Sequence, residues 1–360
     1  MSARITSIGT ALPATAVSQQ DLRAFFADQP ENSRLTRRLI GAAFDAAGIE
    51  TRHTVLTGLS GTPDGVFVGD EATLLSPTTG TRNDLYRDVA PELAAQAARA
   101  ALAQGDVTAA QITHVVTVSC TGFFAPGLDF RLIRDLGLPE TVERSHLGFM
   151  GCAAALPALR LANQITIAEP AAVVLVVCVE LCSLHIRDTA DAEQIVAASV
   201  FADGAAAAVV TAEETIGSPG GLYLDRFSTT LTSEGESDMV WTIGDHGFNM
   251  RLSAEVPRII GREIRAAVES FLRGQEPPSR WAVHPGGRSV LDRVETGLGL
   301  APDAIQASRD VLRDYGNMSS ATILFILRTL LHDPEVGGPI AALAFGPGLT
   351  VEAALLRKSR

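Results

Sequence analysis

The amino-acid sequence predicts a layered α/β protein, and three observations support this fold class. Residues 172–179 and 205–211 are uninterrupted apolar runs, as expected for strands that are buried on both faces of a sheet. Residues 83–104 carry apolar side chains at helical spacing and stop at Gly105. Strand-like and helix-like segments alternate along the rest of the chain, which is typical of a sheet covered by helices.

In the first half, apolar and β-branched runs alternate with amphipathic segments. The runs predict strands over residues 5–10, 114–120, 172–179 and 205–211. The amphipathic segments predict helices over residues 19–26, 33–47, 83–104 and 153–167. Residues 56–80 are rich in Gly, Thr, Ser and Pro and predict a surface loop. A second loop is expected over residues 121–127.

The alternation resumes after a loop that we predict around residues 213–221. Helices are expected over residues 256–272, 289–298 and 317–331, and strands over residues 281–284, 340–345 and 350–356. In each half, a step from Gly to a polar residue opens a buried helix, at Cys152 and at Asn317. We therefore predict a duplicated α/β unit, with its two parts in residues 1–215 and 216–360.

Composition excludes several classes of function. The chain has 360 residues and a net charge of −12, which argues against a general nucleic-acid or anionic-membrane surface but leaves room for a local basic patch. Four cysteines without regular spacing predict free thiols in a reducing compartment. The N-terminus lacks a signal-like apolar segment, and the most apolar run, residues 171–184, is too short to span a bilayer and contains Glu180. We expect a soluble cytoplasmic protein.

Cys152 is the first candidate for covalent chemistry. It follows an expected bend at Gly151 and precedes the helix predicted over residues 153–167. The free N–H groups and the positive dipole at a helix start favour the thiolate form of a cysteine. Pro157 is expected to kink this helix or to delay its start. The alternative interpretation of Cys152 is a small buried hydrophobic residue.

Two more polar residues stand at the ends of predicted buried elements. His284 ends a strand just before Gly286 and Gly287, which allow a ligand to approach the backbone closely. Asn317 opens a predicted helix. The alternative to a catalytic role is a plain helix cap for Asn317 and a structural role for His284. A thiolate, an imidazole and a carboxamide at one point would supply a nucleophile, a charge partner and donors for an oxyanion.

Four short motifs carry a resemblance to a known family. In chain order they are Gly151-Cys152, WAVHPGG at residues 281–287, YGNMSS at residues 315–320 and FGPG at residues 345–348. In order, spacing and coverage of nearly the whole chain, they resemble the type III polyketide synthases, the chalcone synthase-like branch of the thiolase superfamily. The resemblance implies a thiolase fold with a duplicated five-layered αβαβα core.

The resemblance also implies residue roles. Cys152 would carry the acyl group, and His284 and Asn317 would complete a catalytic triad. Phe201 matches an aromatic gatekeeper between the substrate tunnel and the cavity. The second gatekeeper falls on Met250, with Phe248 close enough in sequence to compensate. Further cavity positions implied by the resemblance are Ser319, Cys120, Cys182 and His185.

The implied activity is iterative decarboxylative condensation of malonyl-CoA onto an acyl-CoA starter, followed by cyclisation, in a homodimer without metal or redox cofactor. Cys120, Ala125 and Met250 resemble bacterial members, which suggests an aliphatic starter and a pyrone or resorcinol-type product. Ala125 matches a residue that reaches across the dimer interface into the neighbour's cavity. A malonyl starter with a small aromatic product is the second possibility.

Two other functions stay open at this point. One is a single condensation with an acyl carrier protein, as in ketoacyl synthase III, and the other is a non-catalytic homologue that serves as a dimerisation or binding partner. Zinc at Cys178, Cys182 and His185 is disfavoured, because side chains alternate in direction along a strand and a fourth ligand is missing. Arg52 could contact CoA phosphates, although we favour a solvated surface charge.

Overall fold

The structure is a computed structural model that describes residues 3–212 and 220–358. The loop predicted around residues 213–221 therefore lies almost entirely outside the described residues. The strands are β1 Ala3–Ala11, β2 Thr15–Ser18, β3 Thr51–Thr54, β4 His114–Ser119, β5 Glu143–Gly148, β6 Val173–Leu181, β7 Asp203–Ala212, β8 Leu222–Leu231, β9 Met239–Gly244, β10 Gly247–Leu252, β11 Arg280–Val283, β12 Gly338–Gly346 and β13 Thr350–Lys358. The helices are α1 Gln19–Ala27, α2 Arg34–Ala46, α3 Thr79–Gln104, α4 Leu128–Leu136, α5 Ala155–Ala168, α6 Ala192–Val200, α7 Val256–Phe271, α8 Arg288–Leu298, α9 Gln306–Tyr315 and α10 Thr322–His332.

Nine strands form one sheet in the order β11-β12-β13-β8-β1-β7-β6-β4-β5. The N-terminal half pairs β4 with β5 and β6 in parallel and β7 antiparallel to both β6 and β1. The C-terminal half repeats the scheme, with β11 and β12 parallel and β13 antiparallel to its neighbours. The two halves meet where β1 pairs antiparallel with β8. The repeated strand order confirms the predicted duplication, while the division at residue 215 stays a prediction.

Sheet and helices form five layers. The middle layer consists of α5 and α10, whose buried side chains, such as Leu156 and Leu324, belong to one core cluster with residues from both halves of the sheet. Helices α1 to α4 cover the outer face of the N-terminal half. Helices α7 and α8 cover the outer face of the C-terminal half. This is the αβαβα arrangement that the resemblance implied, and strands buried on both faces explain the continuous apolar runs.

Both central helices begin later than predicted. A short 3₁₀ turn over Gly151–Ala153 precedes α5, so Cys152 lies in that turn and not in the helix. Pro157 falls in the first turn of α5, where its missing N–H costs no hydrogen bond. The helix predicted from residue 317 begins only at Thr322. Asn317 does not cap this helix, because it lies five residues before its start. The Asn317 backbone bonds to Val200 and Ala202.

The elements that the sequence analysis missed are mostly half-exposed. They include β5, α4, α6, α9 and the hairpin of β9 and β10, whose strands pair from Met239 with Leu252 to Gly244 with Gly247. Their mixed polar and apolar residues do not form the continuous runs that mark the buried strands. The hairpin matters most, because five of its residues line the candidate site: Met239, Trp241, Phe248, Met250 and Leu252. In the described residues, the structure contains no helix with the length and apolar character needed to cross a membrane.

Gly9 allows α3 to pack directly on β1, and this yields a stability prediction. A Cβ atom at Gly9 would lie 2.1 Å from the Ala101 nitrogen and 2.3 Å from the Ala97 oxygen, both of which are backbone atoms. We expect Gly9→Ala to lower the free energy of unfolding by about 3 kcal/mol, the upper range for overpacking. Gly80→Ala in the exposed first turn of α3 is the control, since its nearest neighbour would be 3.7 Å away. Chemical denaturation that finds both variants equally stable would contradict this packing.

Candidate active site

Two cavities adjoin at Cys152. The outer chamber has a volume of about 420 Å³ and is lined from both halves of the chain, chiefly by α2, α7 and α8. The inner chamber is much smaller, about 60 Å³, and is mostly apolar. The side chains that border both chambers are Cys152, Phe201, Met239 and Met250. A molecule in the outer chamber and a molecule in the inner chamber can therefore both contact the Cys152 sulfur.

The three candidate catalytic residues all line the outer chamber. Cys152 comes from the turn before α5, His284 follows β11, and Asn317 lies between α9 and α10. Their exposed fractions are 7%, 1% and 1%. Gly286 and Gly287 line the same chamber directly after His284. The duplicated fold thus brings together residues that are up to 165 positions apart, because Cys152 and Asn317 precede the two central helices at equivalent points.

Burial opposes a charge on Cys152 alone. Burial raises the pKa of the thiol to about 11. Two further influences act on this pKa in opposite directions: hydrogen bonds from Ser319 and Asn317, and the charge of the nearby Glu180. The two hydrogen bonds stabilise the thiolate and lower the pKa, whereas the Glu180 charge raises it. The predicted lowering by a helix dipole is therefore wrong for the isolated thiol, because Cys152 precedes the helix by a 3₁₀ turn and lies in an apolar space.

Burial also opposes a charge on His284. Burial lowers the pKa of its imidazole to about 3, so the ring is neutral when it is alone. Neither ring nitrogen has a hydrogen-bond partner among residues 3–212 and 220–358. A buried polar atom without a partner is costly, and a ligand or a transferred proton would satisfy it. Transfer of the Cys152 proton to His284 would create two opposite charges together, so that each offsets the desolvation of the other.

Asn317 is held in one orientation by its own turn. Its Oδ1 accepts a hydrogen bond from the Ser319 backbone N–H at 2.9 Å. The side-chain NH₂ group is therefore the part that remains for the chamber and for Cys152. Ser319 adopts a left-handed backbone conformation with φ of 47°. A strained backbone of this kind persists only where the surrounding structure holds it in place. In this conformation the Ser319 hydroxyl group is near the sulfur atom of Cys152 and that of Cys120.

Glu180 belongs to the site although the sequence analysis did not assign it a role. It is buried on β6 and accepts hydrogen bonds from Ser320 Oγ at 2.5 Å, Thr121 Oγ1 at 2.8 Å and the Cys120 backbone N–H at 3.0 Å. Burial raises the pKa of its carboxyl group. The Cys120 sulfur lies 3.5 Å from this carboxyl group and 3.4 Å from Ser319 Oγ. The sequence signal that could have identified Glu180 was its position as a single acidic residue within an apolar run.

Aromatic rings form one wall of the inner chamber. His185 stacks on Phe248 with ring centroids 4.1 Å apart, and the Trp241 ring lies nearly perpendicular to both. His185 Nε2 donates to the Thr121 carbonyl at 2.7 Å, and its Nδ1 accepts from the Phe248 N–H at 3.0 Å. Both nitrogens are thus used by the protein. Cys120, Cys182 and Ser319 also line this chamber.

Arg52 is neither a surface charge nor a chamber residue, so the sequence-based interpretation was wrong. Its side chain is buried, with the guanidinium group over the Phe44 ring. It donates hydrogen bonds of 2.7 Å to the carbonyl groups of Ala198 and Phe201. Burial lowers its pKa to about 9, and the charge of Asp203 opposes that change. Arg52 therefore anchors the end of α6 and, with it, the backbone of Phe201.

The fold and the site together define an acyltransferase of the thiolase type, with a buried thiol, an imidazole and a carboxamide at one chamber. Residues 1–214 match the N-terminal domain of chalcone and stilbene synthases, and residues 226–359 match their C-terminal domain. The chain belongs to this family, the type III polyketide synthases, and is a polyketide synthase.

Individual relatives agree with this assignment. The chain is 35% identical to bisdemethoxycurcumin synthase of Oryza sativa subsp. japonica, with 98% of this chain and 92% of that protein covered. It is 32% identical to the alpha-pyrone synthesis polyketide synthase-like Pks18 of Mycobacterium tuberculosis, with 98% and 90% covered. Probable polyketide synthase 1 of Dictyostelium discoideum is 34% identical over 98% of this chain, which spans only 11% of that protein. The solved C-terminal type III polyketide synthase domain of Steely1 from Dictyostelium has a TM-score of 0.92 and 31% identity over all of both chains.

The shifted pKa values of Cys152 and His284 predict how the rate of alkylation of the Cys152 thiol depends on pH. Without His284 the thiol must ionise alone, so alkylation of His284→Ala by iodoacetamide should rise with pH toward about 11 and be slow at pH 7. With His284 present to take the proton, we expect alkylation at pH 7 to be at least about tenfold faster. Peptide mass spectrometry measures the modification at Cys152 itself. Superimposable pH profiles of the two proteins would show that His284 does not accept the proton.

Proposed function

We propose that this protein loads an acyl-CoA starter onto Cys152, extends it with malonyl-CoA, and cyclises the product to a pyrone or a resorcinol-type ring. The observation that carries this proposal is that Cys152 borders both chambers. A CoA thioester reaches the sulfur from the outer chamber, and the growing chain extends from the sulfur into the inner chamber. His284 and Asn317 flank the reacting thioester on the outer side.

Loading begins when His284 takes the proton of Cys152. The thiolate attacks the thioester carbonyl, the new sulfur–carbon bond forms, and the CoA thiol leaves with the proton that His284 returns. The negative charge on the carbonyl oxygen during this step is stabilised by hydrogen bonds from Asn317 Nδ2 and the protonated His284. Because both side chains are buried, these donors act in a medium of lower dielectric constant than water and contribute more than they would in solvent.

Extension uses the same two donors. Malonyl-CoA in the outer chamber loses CO2, and the electrons of the broken carbon–carbon bond form a thioester enolate that His284 and Asn317 stabilise. The enolate carbon attacks the acyl group on Cys152, and the sulfur leaves as a thiolate. The apolar side chains of Phe201 and Met250, at the junction of the chambers, favour loss of the malonyl carboxylate because they offer it no hydrogen bond.

The inner chamber supports a compact cyclic product. Its lining is mostly apolar, and the rings of Trp241, Phe248 and His185 limit its volume. A flexible polyketide confined there must fold back on itself, which favours ring closure. The name of the mycobacterial relative, alpha-pyrone synthesis polyketide synthase-like Pks18, is consistent with a pyrone. A malonyl starter that leads to a small aromatic product is the second candidate, favoured by the same small volume.

We also propose that the working unit is a homodimer, formed through the edge of the sheet. Strand β5 is the last strand of the sheet and is largely exposed, so its free backbone groups can pair with another strand. Phe123, Phe149 and Met150 are exposed nearby, with the two phenylalanine rings 6.2 Å apart. A second copy of the chain would cover both features. In such a dimer the loop that contains Ala125, just before α4, approaches the partner, as its family position suggests.

The dimer proposal predicts the mass in solution. We expect light scattering to give twice the chain mass of 37.8 kDa. Phe149→Asp should shift the protein toward the monomer, because a carboxylate cannot be buried there without a partner, and aspartate tolerates the positive φ of 58° at this position. Leu35→Asp, at a side chain on α2 that is 66% exposed, is the control and should remain dimeric. A monomeric unaltered protein would contradict the proposal.

The catalytic proposal predicts that the two half-reactions separate in a Cys152→Ala variant. Incubated with malonyl-CoA and a panel of acyl-CoA starters, this variant should form no condensation product. It should keep measurable decarboxylation of malonyl-CoA, because His284 and Asn317 still bind the enolate. Cys178→Ala, at a buried thiol on β6 that lines neither chamber, is the matched control and should retain both reactions.

Mass spectrometry of the products of the unaltered protein identifies the starter and the ring at the same time. A cyclic product from an acyl-CoA and malonyl-CoA supports the first candidate, and a product from malonyl-CoA alone supports the second. Condensation only with malonyl groups on an acyl carrier protein would contradict the use of free CoA thioesters. Condensation by Cys152→Ala would show that another residue carries the chain.

A further inference from the structure

We propose that Arg288 and Arg293 bind the phosphate groups of CoA thioesters at the open end of the outer chamber. This inference rests on the proposed function, which requires CoA thioesters to enter there. Both arginines lie on α8, only a few residues after His284, and both line the chamber that contains Cys152 and Asn317. The two arginines are exposed, whereas the candidate catalytic side chains are buried. The chamber therefore runs from a buried reactive end to a cationic open end.

The positive charges of these two arginines are not neutralised by the protein. Within the described residues, neither Arg288 nor Arg293 forms an ion pair with a carboxylate. Asp292, the one acidic residue on the described lining of the chamber, already accepts from Arg309 at 2.8 Å. Arg258, the third arginine on this lining, pairs with Glu255 on its own helix. In a chain with a net charge of −12, two free guanidinium groups beside one chamber favour an anionic ligand.

Two glycines support the side chains of these arginines. A Cβ atom at Gly48 would lie 3.1 Å from the Arg288 Cβ and 3.3 Å from its Cδ, so the arginine packs directly over that glycine. A Cβ atom at Gly261 would lie 3.4 Å from the Arg293 Cδ. Packing of the aliphatic part restricts the rotamers of a long side chain while its charged end stays in water. Less conformational entropy is then lost when the guanidinium group binds a ligand.

The part of the chamber wall that α2 forms cannot supply this charge. There α2 and the residue after it contribute Ala43, Ala46 and Ala47, whose side chains are small and neutral. These alanines leave space for a ligand but offer it no hydrogen bond. Recognition of phosphate must therefore come from the side of α7 and α8. The guanidinium group is suited to this task because its planar set of donors matches the oxygen atoms of a phosphate.

The test compares two thioesters that share the acyl group and differ only in their phosphates. We expect Arg288→Ala and Arg293→Ala each to raise KM for an acyl-CoA about tenfold, the size expected for loss of a charge-assisted hydrogen bond, with little change in kcat. With the corresponding acyl-pantetheine, which lacks phosphate, KM should be the same for the variants and the unaltered protein. Arg→Lys at each position should restore part of the affinity, because lysine keeps the charge but not the planar donor set. Arg265→Ala, at an exposed position on α7, is the matched control.

The outcomes separate this inference from the proposed function. Equal KM changes with both thioesters, or none with acyl-CoA, would overturn the phosphate assignment while condensation itself continues. Calorimetric titration of free CoA tests the arginines without any turnover, and it should show the same tenfold weakening in both variants. If the arginine variants lose activity with an acyl carrier protein but bind CoA normally, the two residues contact that protein, and the assignment to CoA phosphates is wrong.

Discussion

The constraint on which the site depends is that burial disfavours a charge on the Cys152 sulfur alone and on the His284 ring alone. Burial raises the pKa of the Cys152 thiol to about 11 and lowers that of the His284 imidazole to about 3. Each group alone is therefore neutral, and in the proposed mechanism a proton moves between them. The charges then appear as a pair, and the donors of Asn317 and Ser319 are already oriented toward the sulfur.

This constraint also distinguishes Cys152 from its neighbours. Cys120 and Cys182 line the same inner chamber, and burial raises the pKa of both thiols well above the ordinary value. For both, the buried Glu180 is the next largest influence and raises the pKa further. For Cys152, the next largest influence is a hydrogen bond from Ser319 that lowers it. Cys152 alone of the three also lines the chamber that contains His284.

Sequence reasoning could select the candidate catalytic residues because their signals are local. Cys152 and Asn317 each directly follow a glycine, and His284 ends a predicted buried strand two residues before Gly286. The continuous apolar runs revealed the strands of the core. The chamber walls were harder to predict, because they depend on contacts between distant segments. The hairpin with Trp241 and Phe248 has mixed polarity, and Arg52 looked exposed because its partners, Ala198 and Phe201, lie almost 150 residues further along the chain.

The central claim is that Cys152, among three thiols around one small chamber, carries the growing chain. The most direct measurement is to incubate the protein with a single acyl-CoA and no malonyl-CoA, digest it, and locate the added acyl mass by peptide mass spectrometry. We expect acylation of the peptide that contains Cys152, with Cys120 and Cys182 unmodified. Acylation at either of those cysteines, with Cys152 left free, would contradict it.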